Sequence, residues 1–221
     1  MEYKRVTLLC GHYGSGKTNI AVNMALELKK LYDNVAVADL DIVNPYFRTK
    51  DSAEEFKNNG IRLIVSEYAN SNLDIPALPQ DMYAITDDKS LRVVIDVGGD
   101  DRGALALGRI APKLLEENDY EMLLVINKYR PLTPDAASTL EVMREIEAAG
   151  GMRFTGIVNN SNLGAETTAE YVLASVEYAN EVSRATGLPI IATSVEERLY
   201  AELSGKIENL FPMKLQRRPI D

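Results

Sequence analysis

Residues 11–18, GHYGSGKT, bring three glycines, a lysine and a threonine into the spacing G-x-x-x-x-G-K-[ST]. Those residue types in that order describe a cage for phosphate. Glycines admit positive φ and let the backbone approach an anion, while successive N–H groups and the start of a following helix point at it. The lysine adds a compact positive charge, and the threonine hydroxyl an oxygen suited to Mg²⁺. The candidate nucleotide-binding residues are Gly11, Tyr13, Gly14, Ser15, Gly16, Lys17, Thr18 and Asn19. Lys17 is expected to bridge the β- and γ-phosphates, Thr18 to ligate the metal, and Tyr13 to cover the phosphates. Cys10 just before the loop reads as a core residue ending a strand, and His12 as a loop surface residue. The G-x-G-x-x-G dinucleotide spacing does not occur in GHYGSGK.

Three carboxylates stand where they can serve the same site. VAVADLDIVNPY places Asp39 and Asp41 at the end of a second apolar run, and LRVVIDVGG places Asp96 at the end of another, with Gly99 in the D-x-x-G spacing. Open α/β sheets bind ligands at the carboxyl ends of their strands, so these residues are candidates for Mg²⁺ (Asp39, Asp41, Asp96), for approaching an attacking water (Asp39, Asp41) and for sensing a γ-phosphate through a backbone N–H (Gly99). Asp39 and Asp41 are each also compatible with the simple opening of a turn, and the D-x-x-G spacing alone is a weak signal.

The elements that must position these groups alternate strand and helix. Candidate strands are residues 6–10, 35–39, 61–65, 92–97, 121–127, 154–159 and 189–192, nearly continuous in apolar character, as in parallel strands buried on both faces. A helix starting near Lys17 carries Ile20, Ala21, Met24, Ala25, Leu28 and Leu31 on one stripe. A second has Thr133 as N-cap, Pro134 at its first position, Leu140, Met143 and Ile146 inward, and Gly150-Gly151 at its end. A third is expected from about 165 to 186, with Val172, Ser175, Ala179 and Val182 on one side and Gly187 beyond. The last opens on a Ser194/Glu197 capping box. The connections 40–60 and 66–90 are long enough to carry short helices and to serve ligands or partners. The expectation is a three-layer α/β P-loop fold, with a mostly parallel sheet of about seven strands and helices on both faces, formed by residues 1–221 as a single domain.

Composition narrows the setting. A chain of 221 residues with 46% hydrophobic content can bury a sizeable core, and its net charge of −9 opposes general nucleic-acid binding and anionic membranes. The single cysteine excludes an intrachain disulfide; with no secretory h-region or 18-residue apolar run, a cytoplasmic location is expected. The tail FPMKLQRRPID is short and bracketed by Pro212 and Pro219, and reads as a solvated tail or a partner-contact strand.

GHYGSGKT, DLDIVNPY and DVGG, with GIVNN and PIIATSVEE more loosely, resemble the CobQ/CobB/MinD/ParA group of P-loop ATPases, which includes the nitrogenase iron protein and the arsenite-pump ATPase. The resemblance spans nearly the whole chain. It implies a seven-stranded, mostly parallel sheet, ATP and Mg²⁺ as ligands, Asp41 orienting the hydrolytic water, Asn159 at the adenine edge above Thr193 and Ser194, and nucleotide-dependent homodimers acting on a protein partner. Where the group's pattern has a lysine after the first glycine of the loop, this chain has His12, which is shorter and offers no fixed positive charge. Arg48, Arg102 and Arg109 are candidate fingers in its place, each also readable as a surface arginine. Asn127 and Lys128 match the start of the guanine-reading N-K-x-D, but the fourth position is Arg130, which has no acceptor for the guanine ring N–H groups, so ATP is favoured over GTP. The leading reading is a Mg-ATP-dependent ATPase switch of slow turnover. The rivals are an ATP-dependent biosynthetic enzyme of dethiobiotin synthetase or cobyrinate synthase type, a non-hydrolysing ATP-binding scaffold, and a metallochaperone GTPase, the last opposed by Arg130 and by one His and one Cys.

Overall fold

A computed structural model describes residues 3–40, 53–65, 80–99 and 101–216. Among them the strands are β1 (Val6–Cys10), β2 (Val35–Leu40), β3 (Arg62–Val65), β4 (Arg92–Val97), β5 (Tyr120–Ile126), β6 (Gly156–Asn159), β7 (Ile190–Glu196) and β8 (Leu210–Met213). They form one sheet in the order β3-β2-β4-β1-β5-β6-β7-β8, and every pairing is parallel. The helices are α1 (Lys17–Leu31), α2 (Ala53–Asn58), α3 (Ala84–Asp87), α4 (Asp101–Gly108), α5 (Ala111–Glu117), α6 (Ala136–Gly150), α7 (Ala169–Ala174), α8 (Val176–Thr186) and α9 (Glu197–Leu203).

Period-two alternation sorts the side chains of each strand to opposite faces. In β1, Val6, Leu8 and Cys10 join a core with α3, α4, α5, α6 and α8, whereas Leu9 joins a second core with α1 and α2. Both faces of the sheet are thus covered, which is why all five residues of β1 are buried. Right-handed crossovers explain the division: α1 and α2 carry the chain one way from the centre of the sheet, and α4 to α8 carry it the other.

The sheet has eight strands among the described residues, one more than the seven expected from sequence. The extra strand is β8, in the segment read as a tail. Phe211 and Met213 are buried in the α1 core, and Pro212, which cannot donate to a ladder, is tolerated because β8 is the edge strand.

Several helix boundaries also differ. The N-cap of α6 is Asp135, whose carboxylate accepts from the Ser138 N–H at 2.9 Å; Thr133 is buried, its hydroxyl given to Asn127 O. The stripe Val172, Ser175, Ala179, Val182 is buried as expected, but the helix carrying it is broken into α7 and α8 where the Ser175 hydroxyl donates back to Val172 O at 2.7 Å. The Ser194/Glu197 capping box does not form, because Ser194 lies inside β7 with its hydroxyl engaged elsewhere in the core. Leu31, the last residue of α1, is exposed rather than buried.

Candidate functional site

The loop leaves β1 directly against β5. Gly11 has φ +149°, and a Cβ there would stand 2.4 Å from Val125 O, so only glycine lets the chain turn off the strand at this point. The loop tightens through Ser15 N–H to His12 O (3.1 Å) and enters α1 through Gly16, which is left-handed at φ +91°. Lys17 is buried, and its ammonium donates to Gly11 O at 3.0 Å and His12 O at 3.2 Å, holding the charge within the curve of the loop. Ser15 Oγ is buried with no hydrogen-bond partner among the described residues, a donor within the same curve available to an anion. Tyr13 is exposed.

Strand order brings the carboxylates together. β2 and β4 are neighbours although β3 separates them in sequence, and their register pairs Asp39 with Asp96. Residues paired in a parallel ladder point to the same face, so two buried carboxylates stand side by side on strands about 4.8 Å apart. From α1 the Thr18 hydroxyl donates to Asp96 Oδ2 at 2.6 Å. The helix that begins at the phosphate loop is thereby joined to the end of β4. Oxygen donors of this kind suit Mg²⁺, which takes one or two carboxylates and completes its shell with phosphate oxygens and water; among the described residues no cluster of three or more His, Cys, Asp or Glu offers an all-protein cage. Cys10 is fully buried beneath the loop. Burial pushes its thiol up to about 12, with Lys17 opposing and Asp96 adding to the rise, so it is inert packing.

Gly99 lies behind the loop: a Cβ on it would meet Tyr13 N at 2.5 Å and Tyr13 Cα at 2.9 Å. Gly99, just after β4, therefore lies against the backbone of the phosphate loop.

Parity along the extended chain divides Asn159, which ends β6, from Asn160, which follows it with its N–H still on Ile126 O. Asn159 is fully buried and turned toward α8, its Nδ2 donating to Ser175 Oγ and its Oδ1 accepting from the N–H and hydroxyl of Ser161. In this structure its amide is held inside the protein by these bonds rather than directed at the loop. Asn160, which the sequence reading passed over, faces the loop: its Nδ2 donates to Ser15 O at 2.6 Å, and its Oδ1 accepts from Ser194 Oγ at 2.5 Å. A Cβ on Gly16 would sit 2.2 Å from that Nδ2, so the latch also requires glycine there. The second asparagine of GIVNN was the available signal, since one of two successive residues must face the loop side.

Asn19 accepts from Gln216 N–H at 3.0 Å, and Asn23 pairs with the Lys214 backbone in both directions, so residues after β8 lie along the first turns of α1. Asp41 and Arg48 lie outside the described residues, as does the side chain of Arg102. Arg109 follows α4, an eight-residue helix about 12 Å long, and so stands away from the loop. Arg130, by contrast, lies beside the loop: a Cβ on Gly14 would be 3.5 Å from its Cζ and Nε. No helix among the described residues is long and apolar enough to cross a membrane.

No family model matches the chain, and no curated protein matches it. Solved structures do. The cell division protein FtsY of Thermotoga maritima is 21% identical with a TM-score of 0.56 over 87% of this chain and 62% of its own. FtsY of Mycoplasma mycoides is 20% identical with a TM-score of 0.53 over 86% and 59%. The 54 kDa signal recognition particle protein of Aeropyrum pernix, solved in complex with GDP, is 19% identical with a TM-score of 0.52 over 87% and 41%. The chain thus spans less than two thirds of each of these structures. None of the three belongs to the CobQ/CobB/MinD/ParA group that the motifs resemble. What this chain shares with them is the α/β P-loop fold.

Proposed function

We propose that the chain is a P-loop nucleoside triphosphatase that binds Mg-ATP, hydrolyses it slowly to ADP and phosphate, and acts as a nucleotide-dependent switch of MinD/ParA-like type on a protein partner. The observation that carries this reading is the 2.6 Å hydrogen bond from Thr18 to Asp96, which joins the phosphate loop to a second strand end beside Asp39. In this reading the loop amides and Lys17 hold the β- and γ-phosphates. Thr18, Asp96 and Asp39 hold Mg²⁺ directly or through water, and the ion when bound supplies charge neutralisation between the two phosphates. Asp41 orients the attacking water. Gly99, in contact with the loop, senses the γ-phosphate and moves α4 with it. The protein works as a single unit in the cytoplasm, and exposed Tyr13 and Leu132 at the carboxyl edge of the sheet support a protein partner or a second copy.

GTP is the second reading, favoured by the GDP bound to the A. pernix structure. Arg130 opposes it, since the fourth residue of NKYR offers no acceptor to guanine. Calorimetry with Mg²⁺ and ATP, ADP or GTP tests both. Wild-type protein should bind ATP more tightly than GTP, Lys17→Ala should bind neither, and Asp41→Asn should bind ATP but release phosphate more slowly. Absence of binding by wild-type protein, or equal loss of binding in both variants, refutes the assignment.

A further inference from the structure

Arg130 lies in the β5–α6 connection with its side chain against Gly14 of the phosphate loop. The chain leaves β1 toward β2 on one side of the sheet and leaves β5 toward β6 on the other, and ligands of open α/β sheets bind where such connections diverge. The glycine loop follows β1 on one side of that divergence, and residues 127–130 follow β5 on the other.

The turn that carries Arg130 is held from several directions. Its N–H donates to Asn127 O at 3.1 Å, and its carbonyl accepts from Thr133 N–H at 3.1 Å. The side chains before it are bound elsewhere: Asn127 Oδ1 accepts from Tyr129 N–H, the Lys128 ammonium donates to Ala174 O, and the Tyr129 hydroxyl donates to Tyr171 O. Of these four residues, Arg130 is the one placed against the phosphate loop, with Cζ and Nε 3.5 Å from where a Gly14 Cβ would be. It is exposed, and no ion pair among the described residues includes it. A guanidinium beside a phosphate cage with no carboxylate to neutralise it is a second fixed cation, added to Lys17 in a site that also holds Asp39 and Asp96.

We infer that Arg130 is a phosphate-contacting catalytic residue acting within its own chain, an assignment that rests on the triphosphatase reading above. In hydrolysis the water oxygen bonds to the γ-phosphorus while the bond from that phosphorus to the β,γ-bridging oxygen breaks. The electron pair stays on the bridging oxygen of the departing ADP, and the water's protons pass to the phosphate product and solvent. Arg130 lies over the transferred group from the β5 side and offsets the charge that gathers there, a fork of N–H donors that lysine cannot reproduce. The fourth position of the NKYR turn thus serves phosphate rather than base.

The test uses the full chain with Arg130→Ala, Arg130→Lys and Lys17→Ala, measuring Mg-ATP and Mg-ADP affinity by calorimetry and phosphate release under turnover. Arg130→Ala should keep its melting temperature and bind Mg-ADP close to wild type, but hydrolyse ATP on the order of 10²–10³-fold more slowly. Guanidinium ion in solution should restore part of that turnover, and Arg130→Lys should not restore it fully. Mixing Arg130→Ala with Lys17→Ala chains should recover nothing. Unchanged turnover in Arg130→Ala overturns the proposal, as does recovery on mixing, which places the arginine in a second chain. A loss of Mg-ADP affinity together with a lowered melting temperature overturns it in favour of a structural role, and a change only in the ratio of ATP to GTP affinity in favour of a base contact. Wild-type protein that binds no triphosphate overturns the underlying reading as well, an outcome that Lys17→Ala and wild type then share.

Discussion

Replacing Asn160 by alanine tests whether the phosphate loop is held in shape by the strand behind it. The truncation strands two buried groups, the Ser15 carbonyl, which accepts from Nδ2 at 2.6 Å, and the Ser194 hydroxyl, which donates to Oδ1 at 2.5 Å. A buried polar group left unsatisfied costs about 1–3 kcal/mol. Ser194 retains Asn159 O at 3.3 Å as a second acceptor and falls at the low end, so the sum is about 2–4 kcal/mol. At about 2–4 °C per kcal/mol for a chain of this size, Asn160→Ala should melt on the order of 10 °C below wild type by circular dichroism or calorimetry. Because the loop loses its anchor beside Gly16, affinity for Mg-ATP should fall in the same variant. Asn160→Asp separates the two effects. It keeps an acceptor for Ser194 but sets a carboxylate oxygen against Ser15 O and adds negative charge beside the cage, so it should bind nucleotide more weakly than Asn160→Ala. A melting temperature within experimental error of wild type, with unchanged affinity in both variants, would refute the reasoning.

Other residues give sharper single readouts. Thr18→Ala and Asp96→Asn should each remove on the order of 10–100-fold of the gain in ATP affinity that Mg²⁺ provides, measured by titration with and without the ion; a full Mg²⁺ effect in either removes that residue from the metal site. Cys10, buried with its thiol pushed up to about 12, should react with a thiol reagent at pH 8 only on unfolding, and reaction at the rate of a free thiol in native protein contradicts its placement. Burial raises Glu121 above its ordinary 4.5, against the opposing Thr7 hydroxyl and Lys4. Folding therefore takes up a proton at this carboxyl as pH rises from 4.5 through its raised value, and stability is lost across that window. Glu121→Gln keeps the acceptor for Thr7 and should raise the melting temperature at neutral pH but not in acid; parallel profiles for variant and wild type would exclude the effect.

Much of the site could be read in the sequence because its parts are local. The glycine spacing, Lys17 and Thr18 act through the few residues around them, and the loop has the conformation that spacing requires, Gly16 left-handed at the start of α1. Strand identity was likewise written in apolar runs, and the stripe of α1 is buried except at Leu31. The helix ends were less legible, because Thr133 and Ser194 can satisfy their hydroxyls in the core as well as at a cap, and the core took both.

The sequence by itself determined the glycine loop and its conformation, the alternation of parallel strands and helices, and which faces are apolar, since each follows from the chemistry of neighbouring residues and from periods of 2 and 3.6. Tertiary structure decided what depends on strand order and register. Asp39 meets Asp96 only because β2 and β4 are adjacent, and Asn160 rather than Asn159 reaches the loop because successive strand residues face opposite sides. Arg130 comes to Gly14 across 116 positions of chain, and residues 210–213 become an eighth strand because the α1 core has an apolar edge for Phe211 and Met213 to cover. Such juxtapositions come from packing distant segments into one core, and no local pattern encodes them.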